Sequence, residues 1–314
     1  YGKAMNQKIE NLLNVSLSAT RKELENSESL STGFNWRDDT WEIIVKYSGT
    51  LENIREKYNV YIRELLYNYA IIVTDKNTIE LISQETNIDY IEKPKSIYFQ
   101  LERAKSAACA NNVRAGNKNI VNKNVVNKDD IRNAYDGTYL SGNGVIVAVI
   151  DTGIDILSEE FRKSDGSTRI LNIYDQTQQT EYSEEDINAY LNKAIVNKDN
   201  TYNGRSIQIP GADNTQHGTN VAVIACGRSG VAYEADIIAV KMGYSYNNQF
   251  PRTTSLMDAI DYVIRKAMEY EKPVAINISY GFNYGDHDGN TLLERYINDV
   301  AAGYKCSICI GSGN

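Results

Sequence analysis

Histidine is nearly absent from this chain: His217 and His287 are the two histidines among 314 residues. Chemistry that needs an imidazole near neutral pH therefore has two candidates. Cysteine is also scarce. Cys109, Cys226, Cys306 and Cys309, spread over this length, do not make the dense framework of a small disulfide scaffold. Phenylalanine (5) is far outnumbered by tyrosine (23), a bias with no functional reading. The longest apolar runs are about six residues, against the roughly 20 that a membrane-spanning helix needs, so no membrane partner is expected. There is no basic run, and Lys plus Arg (33) fall short of Asp plus Glu (41), for a net charge of −8. Nucleic acid is thus not expected as a partner, because phosphate backbones are held by clustered cations. The opening, Tyr1 to Leu13, lacks the charged-then-apolar pattern of a secretory signal.

What is present suits a folded chain of roughly two domains at about 150 residues each. At 42% hydrophobic residues, it is too apolar for wholesale disorder. Residues 1–40 read as a polar N-terminal extension, with Met5, Ile9, Leu12, Leu13 and Leu17 at helical spacing. Residues 41–100 read as a small domain. Trp41–Tyr47, Val60–Leu66, Tyr69–Thr74 and Ile88–Phe99 form strands, and Leu51–Tyr58 and Thr78–Thr86 form helices. The order β-α-β-β-α-β predicts a ferredoxin-like α+β unit. Residues 101–140, rich in Asn, read as a connector.

Residues 141–314 alternate strands and helices. Val145–Ile150 (VIVAVI) is the unbroken apolar run of a strand buried on both faces of a parallel sheet. Ile237–Val240, Val274–Ile278 and Ser307–Ile310 are further strands. Helical stripes follow His217 and run over Leu256–Ala267 and Leu292–Val300. The alternation predicts an α/β domain, with helices on both faces of a parallel sheet. Residues 155–216 read as a long polar insertion.

In such a sheet, ligands sit outside the carboxyl ends of the strands. Asp151-Thr152-Gly153 follows the first strand, Ser279-Tyr280-Gly281 follows the third, and Gly311-Ser312-Gly313-Asn314 follows the last. His217-Gly218-Thr219 opens a helix. A carboxylate can orient an imidazole, the imidazole can serve as general base to a hydroxyl, and an Asn amide can donate to a developing oxyanion. The residue types fit acyl transfer.

These motifs resemble those of the subtilisin-like serine proteases. Val145–Asp155 (VIVAVIDTGID) is similar to the family's aspartate motif and His217–Ala222 (HGTNVA) to its histidine motif, with Asn220 where most members carry a second His. Ile276–Gly281 is similar to the strand that pairs with substrate backbone, and Gly313-Asn314 to the pair bearing the oxyanion amide. The resemblance implies a subtilisin-like fold and a serine endopeptidase. Asp151 and His217 would act in catalysis, Asn314 at the oxyanion, and Ser279, Tyr280, Gly281, Gly311 and Ser312 in substrate binding. The text is most similar to the Csp germination proteases of clostridia, through Asn87–Gln100, Arg169–Thr177 and Asp286–Gly289. That similarity implies an inhibitory prodomain at 41–100, self-processing near Gln100-Leu101, a retained prodomain, and a link to spore germination.

One part of the family pattern is missing. No Gly-Thr-Ser-Met-Ala-like nucleophile motif occurs, and Thr254-Ser255-Leu256-Met257 lies in the wrong order and opens an amphipathic helix. The nucleophile is expected from a C-terminal remainder of the catalytic domain, carried as a second chain. The expected partners are thus a peptide or protein substrate, the chain's own prodomain, and that remainder. No cofactor is expected. No metal is expected either, since Asp286, His287 and Asp288 are adjacent and adjacent residues seldom converge on one ion. Cys306 and Cys309 read as buried strand residues, and Asp155 as structural. The compartment stays open between a spore or intracellular enzyme and a secreted one. Two other readings compete. A pseudoprotease scaffold is opposed by the presence of both Asp151 and His217. A nucleotide-binding domain is opposed by the lack of a Gly-rich loop after the first strand, since Gly142 and Gly144 precede it.

Overall fold

The computed structural model describes residues 7–99, 140–196, 201–202, 205–206, 209–243, 251–281 and 289–311. Several sequence expectations lie outside these residues: Gln100 and Leu101, most of the connector, Cys109, His287, Ser312 and Asn314. Contacts divide the chain into two compact units. The first holds residues 1–98, 244–262 and 282–305, and the second holds 99–243, 263–281 and 306–314.

The first unit opens with three short helices, α1 (Asn11–Ser18), α2 (Arg21–Glu25) and α3 (Glu28–Ser31). Thr20 caps α2 with a capping box completed by Glu23. Then come β1 (Phe34–Asn35), β2 (Thr40–Tyr47), α4 (Glu52–Tyr58), β3 (Tyr61–Leu65), β4 (Tyr69–Thr74), α5 (Lys76–Ile82) and β5 (Ile88–Glu92). The sheet runs β3-β4-β2-β5, all antiparallel, with β1 also on β2. This is the strand order that a β-α-β-β-α-β chain gives in a ferredoxin-like unit.

Alternation sends Trp41, Ile43, Val45 and Tyr47 to one face of β2, where they meet Ile54, Ile79 and Ile82 of the helices. Ile9, Leu13, Leu17 and Leu24 belong to the same core. The opening segment, polar on average, thus contributes a buried apolar stripe. The expected closing strand Ile88–Phe99 is interrupted after Glu92. Pro94 has no N–H for a ladder and restricts its neighbour, so Lys93–Ile97 leave the sheet and Tyr98–Phe99 forms a separate strand, β6.

The first unit also buries charge. Lys93 is fully buried, and its ammonium donates to the carbonyls of Ser29 (2.5 Å) and Leu30 (2.8 Å), 5.8 Å from the Trp41 ring. Lys95 lies between Glu92 (3.1 Å) and Glu10 (3.3 Å).

The second unit opens with Phe99, the end of β6, which pairs with β14 (Tyr280–Gly281). It contains β7 (Ile146–Asp151), β8 (Ile170–Asp175), β9 (Thr180–Ser183), α6 (Glu184–Val196), the paired β10 (Thr201–Tyr202) and β11 (Arg205–Ser206), α7 (His217–Cys226), β12 (Asp236–Lys241), β13 (Val274–Ile278) and β15 (Ser307–Ile310). Helix α8 (Thr253–Glu269) begins in the first unit and ends in the second, whereas α9 (Leu292–Tyr304) belongs to the first. The sheet order is β15-β13-β7-β12-β8-β9, parallel except for β9.

Every residue of β7 is buried. Val147 and Val149 meet Val221, Ala222 and Cys226 of α7, while Ile146, Ala148 and Ile150 face the opposite side. Each such apolar side chain contributes about 1.5–3 kcal/mol. Two expectations need correction. The stretch 155–216 is not a plain insertion, because its strand β8 is entirely buried inside the sheet. Cys306 and Cys309 are not core residues: Cys306 is half-buried and Cys309 exposed. The reason is that β15 is an edge strand among the described residues, paired on one side with β13.

Candidate active site

The carboxyl end of β7 carries the first functional group. Asp151 is its last residue and is 1% exposed. Its Oδ1 accepts from the Thr152 amide (2.7 Å) and lies 2.7 Å from Nδ1 of His217. Oδ2 is buried and has no hydrogen-bond partner among the described residues.

His217 is the first residue of α7 and keeps 18% of its side chain exposed. Two glycines let strand and helix come this close. A Cβ on Gly218 would sit 2.3 Å from the Gly153 carbonyl and 3.0 Å from Asp151 Cβ. Gly153 itself has φ +129, and a Cβ there would meet the Gly211 carbonyl at 2.4 Å. The Asp-Thr-Gly and His-Gly-Thr motifs are therefore two sides of one backbone contact.

The first turn of α7 leaves no amide unsatisfied. His217 N–H donates to Thr215 Oγ1 (3.2 Å), Gly218 N–H to Thr152 Oγ1 (3.0 Å), Thr219 N–H to Asp213 Oδ2 (2.8 Å) and Asn220 N–H to the Gln216 carbonyl (3.1 Å). Asp213 is the hub. Its carboxylate also accepts from the hydroxyls of Thr152 (2.8 Å), Thr215 (3.0 Å) and Thr219 (2.7 Å) and from the Gln216 amide (3.0 Å). Burial alone would raise its pKa. The donors from Thr219, Thr152 and Thr215 outweigh burial and hold it below the ordinary carboxylate value. The motifs do not announce Asp213. The signal that would have found it is an Asp four residues ahead of a helix-opening His, where helix starts favour carboxylates.

The other predicted residues are distributed as follows. Ser279, half-buried, accepts from Asn277 Nδ2 (3.0 Å). Tyr280 is 2% exposed, and with Gly281 it forms β14, paired with β6. Gly311 donates to the Ile278 carbonyl (3.2 Å) and is exposed. Asp155 turns its carboxylate to the Leu157 amide (2.9 Å), and its own amide donates to Thr219 Oγ1. It supports the loop and faces solvent. Among the described residues, no group of His, Cys, Asp and Glu is arranged to hold a metal ion, and no helix is long and apolar enough to cross a membrane.

The arrangement can hold an imidazole in one tautomer. With Nδ1–H donated to the Asp151 carboxylate, Nε2 is left as the basic nitrogen. That is the requirement for general-base work on a hydroxyl.

Comparison with known proteins bears on the family of the chain. A model of the subtilase family matches residues 142–314, and a model of the Csp protease B prodomain matches residues 7–95. A curated relative, Subtilisin-like protease 5 of Arthroderma gypseum, is 26% identical over 249 residues, covering 77% of this chain and 49% of that protein. The chain thus spans about half the length of the curated relative it matches. Among solved structures, the Clostridium perfringens CspB protease is 33% identical with a TM-score of 0.49, covering 58% of this chain and 37% of that one. Fervidolysin from Fervidobacterium pennivorans, a keratinolytic enzyme related to subtilisin, matches at a TM-score of 0.50 with 16% identity, over 90% of this chain and 41% of its own.

Proposed function

Because the chain belongs to the subtilase family, we propose that it carries the aspartate and histidine of a serine endopeptidase. Asp151 fixes the tautomer of His217 and stabilises the imidazolium that forms. His217 takes the proton of a serine hydroxyl through Nε2 and returns it to the leaving amine. Asn314 donates to the oxyanion. Ser279, Tyr280 and Gly281 hold the substrate backbone by strand addition, and Gly311 and Ser312 are assigned to substrate binding with them.

The observation that carries this reading is the 2.7 Å contact between His217 Nδ1 and the buried Asp151 carboxylate at the carboxyl end of β7. A scaffold without activity has no need of that contact, so the pseudoprotease reading is not favoured.

The prodomain match at residues 7–95 supports a processed zymogen. We place the cut near Gln100-Leu101, where Tyr98–Phe99 would be left as a product strand on Tyr280–Gly281. The similarity to CspB supports a germination-related role.

The test is labelling of the full-length protein with a fluorophosphonate probe, followed by intact mass. Labelling at one serine, lost in His217→Ala, is expected, together with a fragment ending at Gln100. A folded protein that takes no label and cleaves no peptide refutes the peptidase reading. A labelled enzyme with no cut near Gln100 refutes the processing site alone.

A further inference from the structure

We propose that Asp213 is a positioning residue for the same site: its carboxylate neutralises the amino end of α7, where His217 sits, and keeps the Thr152 hydroxyl turned away from Asp151. This inference rests on the reading of Asp151 and His217 given above.

The argument begins with the proton count at Thr152. Its hydroxyl has one proton and two carboxylates in reach, Asp213 Oδ1 at 2.8 Å and Asp151 Oδ1 at 3.2 Å. The same oxygen accepts the Gly218 amide (3.0 Å) and is 2.9 Å from the Thr215 hydroxyl. The shorter contact assigns the Thr152 proton to Asp213. Asp151 Oδ1 then serves the Thr152 amide and the His217 ring without sharing its charge with a hydroxyl.

The second part concerns the helix. His217 is at the amino end of α7, where the aligned peptide dipoles disfavour a positive imidazolium. Asp213 places an anion at that end, bound through the Thr219 amide and hydroxyl. Other anions on neighbouring elements are engaged elsewhere. Asp155 faces the Leu157 amide, and Glu160 faces the amide and hydroxyl of Ser229. Among the described residues, Asp151 and Asp213 are the carboxylates tied to the turn that bears His217.

An amide cannot replace the Asp213 carboxylate. Whichever way a carboxamide side chain turned at this position, its NH2 would face N–H donors, either at Thr219 or at Thr215 and Gln216. In the second case the Thr152 proton also passes to Asp151. Both outcomes make His217 harder to protonate.

The test uses the full-length protein and Asp213→Asn. The His217 imidazole can be followed by NMR titration and identified as the resonance lost in His217→Gln. We expect the His217 pKa to fall by about half to one unit. The acid limb of kcat/KM should move down by the same amount, with kcat lowered about 10- to 100-fold and KM within about twofold. In a second pair, Thr152→Val should reproduce the loss in kcat and Thr152→Ser should restore it, which keeps the test open if Asp213→Asn does not fold. An unchanged His217 titration in folded Asp213→Asn overturns the proposal, as does a Thr152→Val enzyme with full kcat. A protein that shows the titration shift but neither takes the serine probe nor cleaves peptides keeps Asp213 coupled to His217 and refutes the peptidase reading instead.

Discussion

Lys93 should make the stability of the first unit depend on pH in an unusual direction. Its ammonium is fully buried. Burial, set against attraction to Glu10 and joined by repulsion from Arg252 and Lys95, lowers its pKa from 10.5 to about 7. Above about 10.5 neither folded nor unfolded chain holds this proton. Between 10.5 and 7 the unfolded chain binds it and the folded one does not, so stability falls as pH falls, about tenfold in the unfolding constant per pH unit. Below 7 both states are protonated and the penalty is constant, on the order of 5 kcal/mol in all. Replacement by Met removes this term, and it also leaves the carbonyls of Ser29 and Leu30 without their donor, an offset of about 1–3 kcal/mol for each. The absolute change is therefore a difference of two effects, whereas the slope with pH isolates one.

The assay is urea denaturation read by tryptophan fluorescence. Both tryptophans, Trp36 and Trp41, pack in the first unit's core. Between pH 7 and pH 9 the wild type should gain about 2 kcal/mol relative to Lys93→Met. Parallel curves for the two proteins over that interval would refute the reasoning, since Lys93 would then titrate alike in both states.

Four further outcomes follow from the site and its supports. Asp151→Asn should fold and lose about 10⁴ in kcat, because an amide can present its NH2 to Nδ1 and reverse the tautomer; a pre-steady-state peptide assay checks it. Gly218→Ala should lower stability by about 1–3 kcal/mol and abolish serine-probe labelling, since its Cβ falls 2.3 Å from the Gly153 carbonyl. Arg169 donates to the buried carbonyls of Ala235 and Cys226 and to the part-buried one of Glu160, so Arg169→Met should cost about 2 kcal/mol or more in thermal denaturation. Among the described cysteines, exposed Cys309 should react with a thiol reagent in the folded protein. Buried Cys226, its pKa pushed up to about 12 by loss of solvent, should react only on unfolding.

The parts of this molecule that could be read from its amino acids are those where one local rule governs. Val145–Ile150 is apolar without interruption and folds as the fully buried β7. The β-α-β-β-α-β order of the first unit follows from alternation and turn positions. The parts that could not be read depend on distant partners. β8 holds Asn172, Tyr174 and Asp175, all buried, and its polar letters hide a core strand because Asn172 is hydrogen-bonded by Glu181 and Tyr270. Cys306 and Cys309 look like core residues until the strand order of the described residues leaves β15 paired on one side. Asp151 and His217 are legible as motif letters. Asp213 is legible only once three threonine hydroxyls and three backbone amides are seen to converge on it.

The strand order also sets a timetable for folding. In the first unit β4 pairs with its neighbour β3 across a short turn, and the remaining partners lie within the same stretch of chain. In the second unit such a short turn joins only outlying strands, as where β9 folds back on β8, and the strand that carries the aspartate has none. β7 joins β12, about 90 residues downstream, and β13, about 130 downstream, before its aspartate has a sheet to stand on. Chain-closure entropy must be met in full before the first of these parallel pairings gives anything back. The residues bearing Asp151 and His217 are therefore expected to assemble late, leaving the apolar run of β7 open in the interval to pairing with the wrong neighbour.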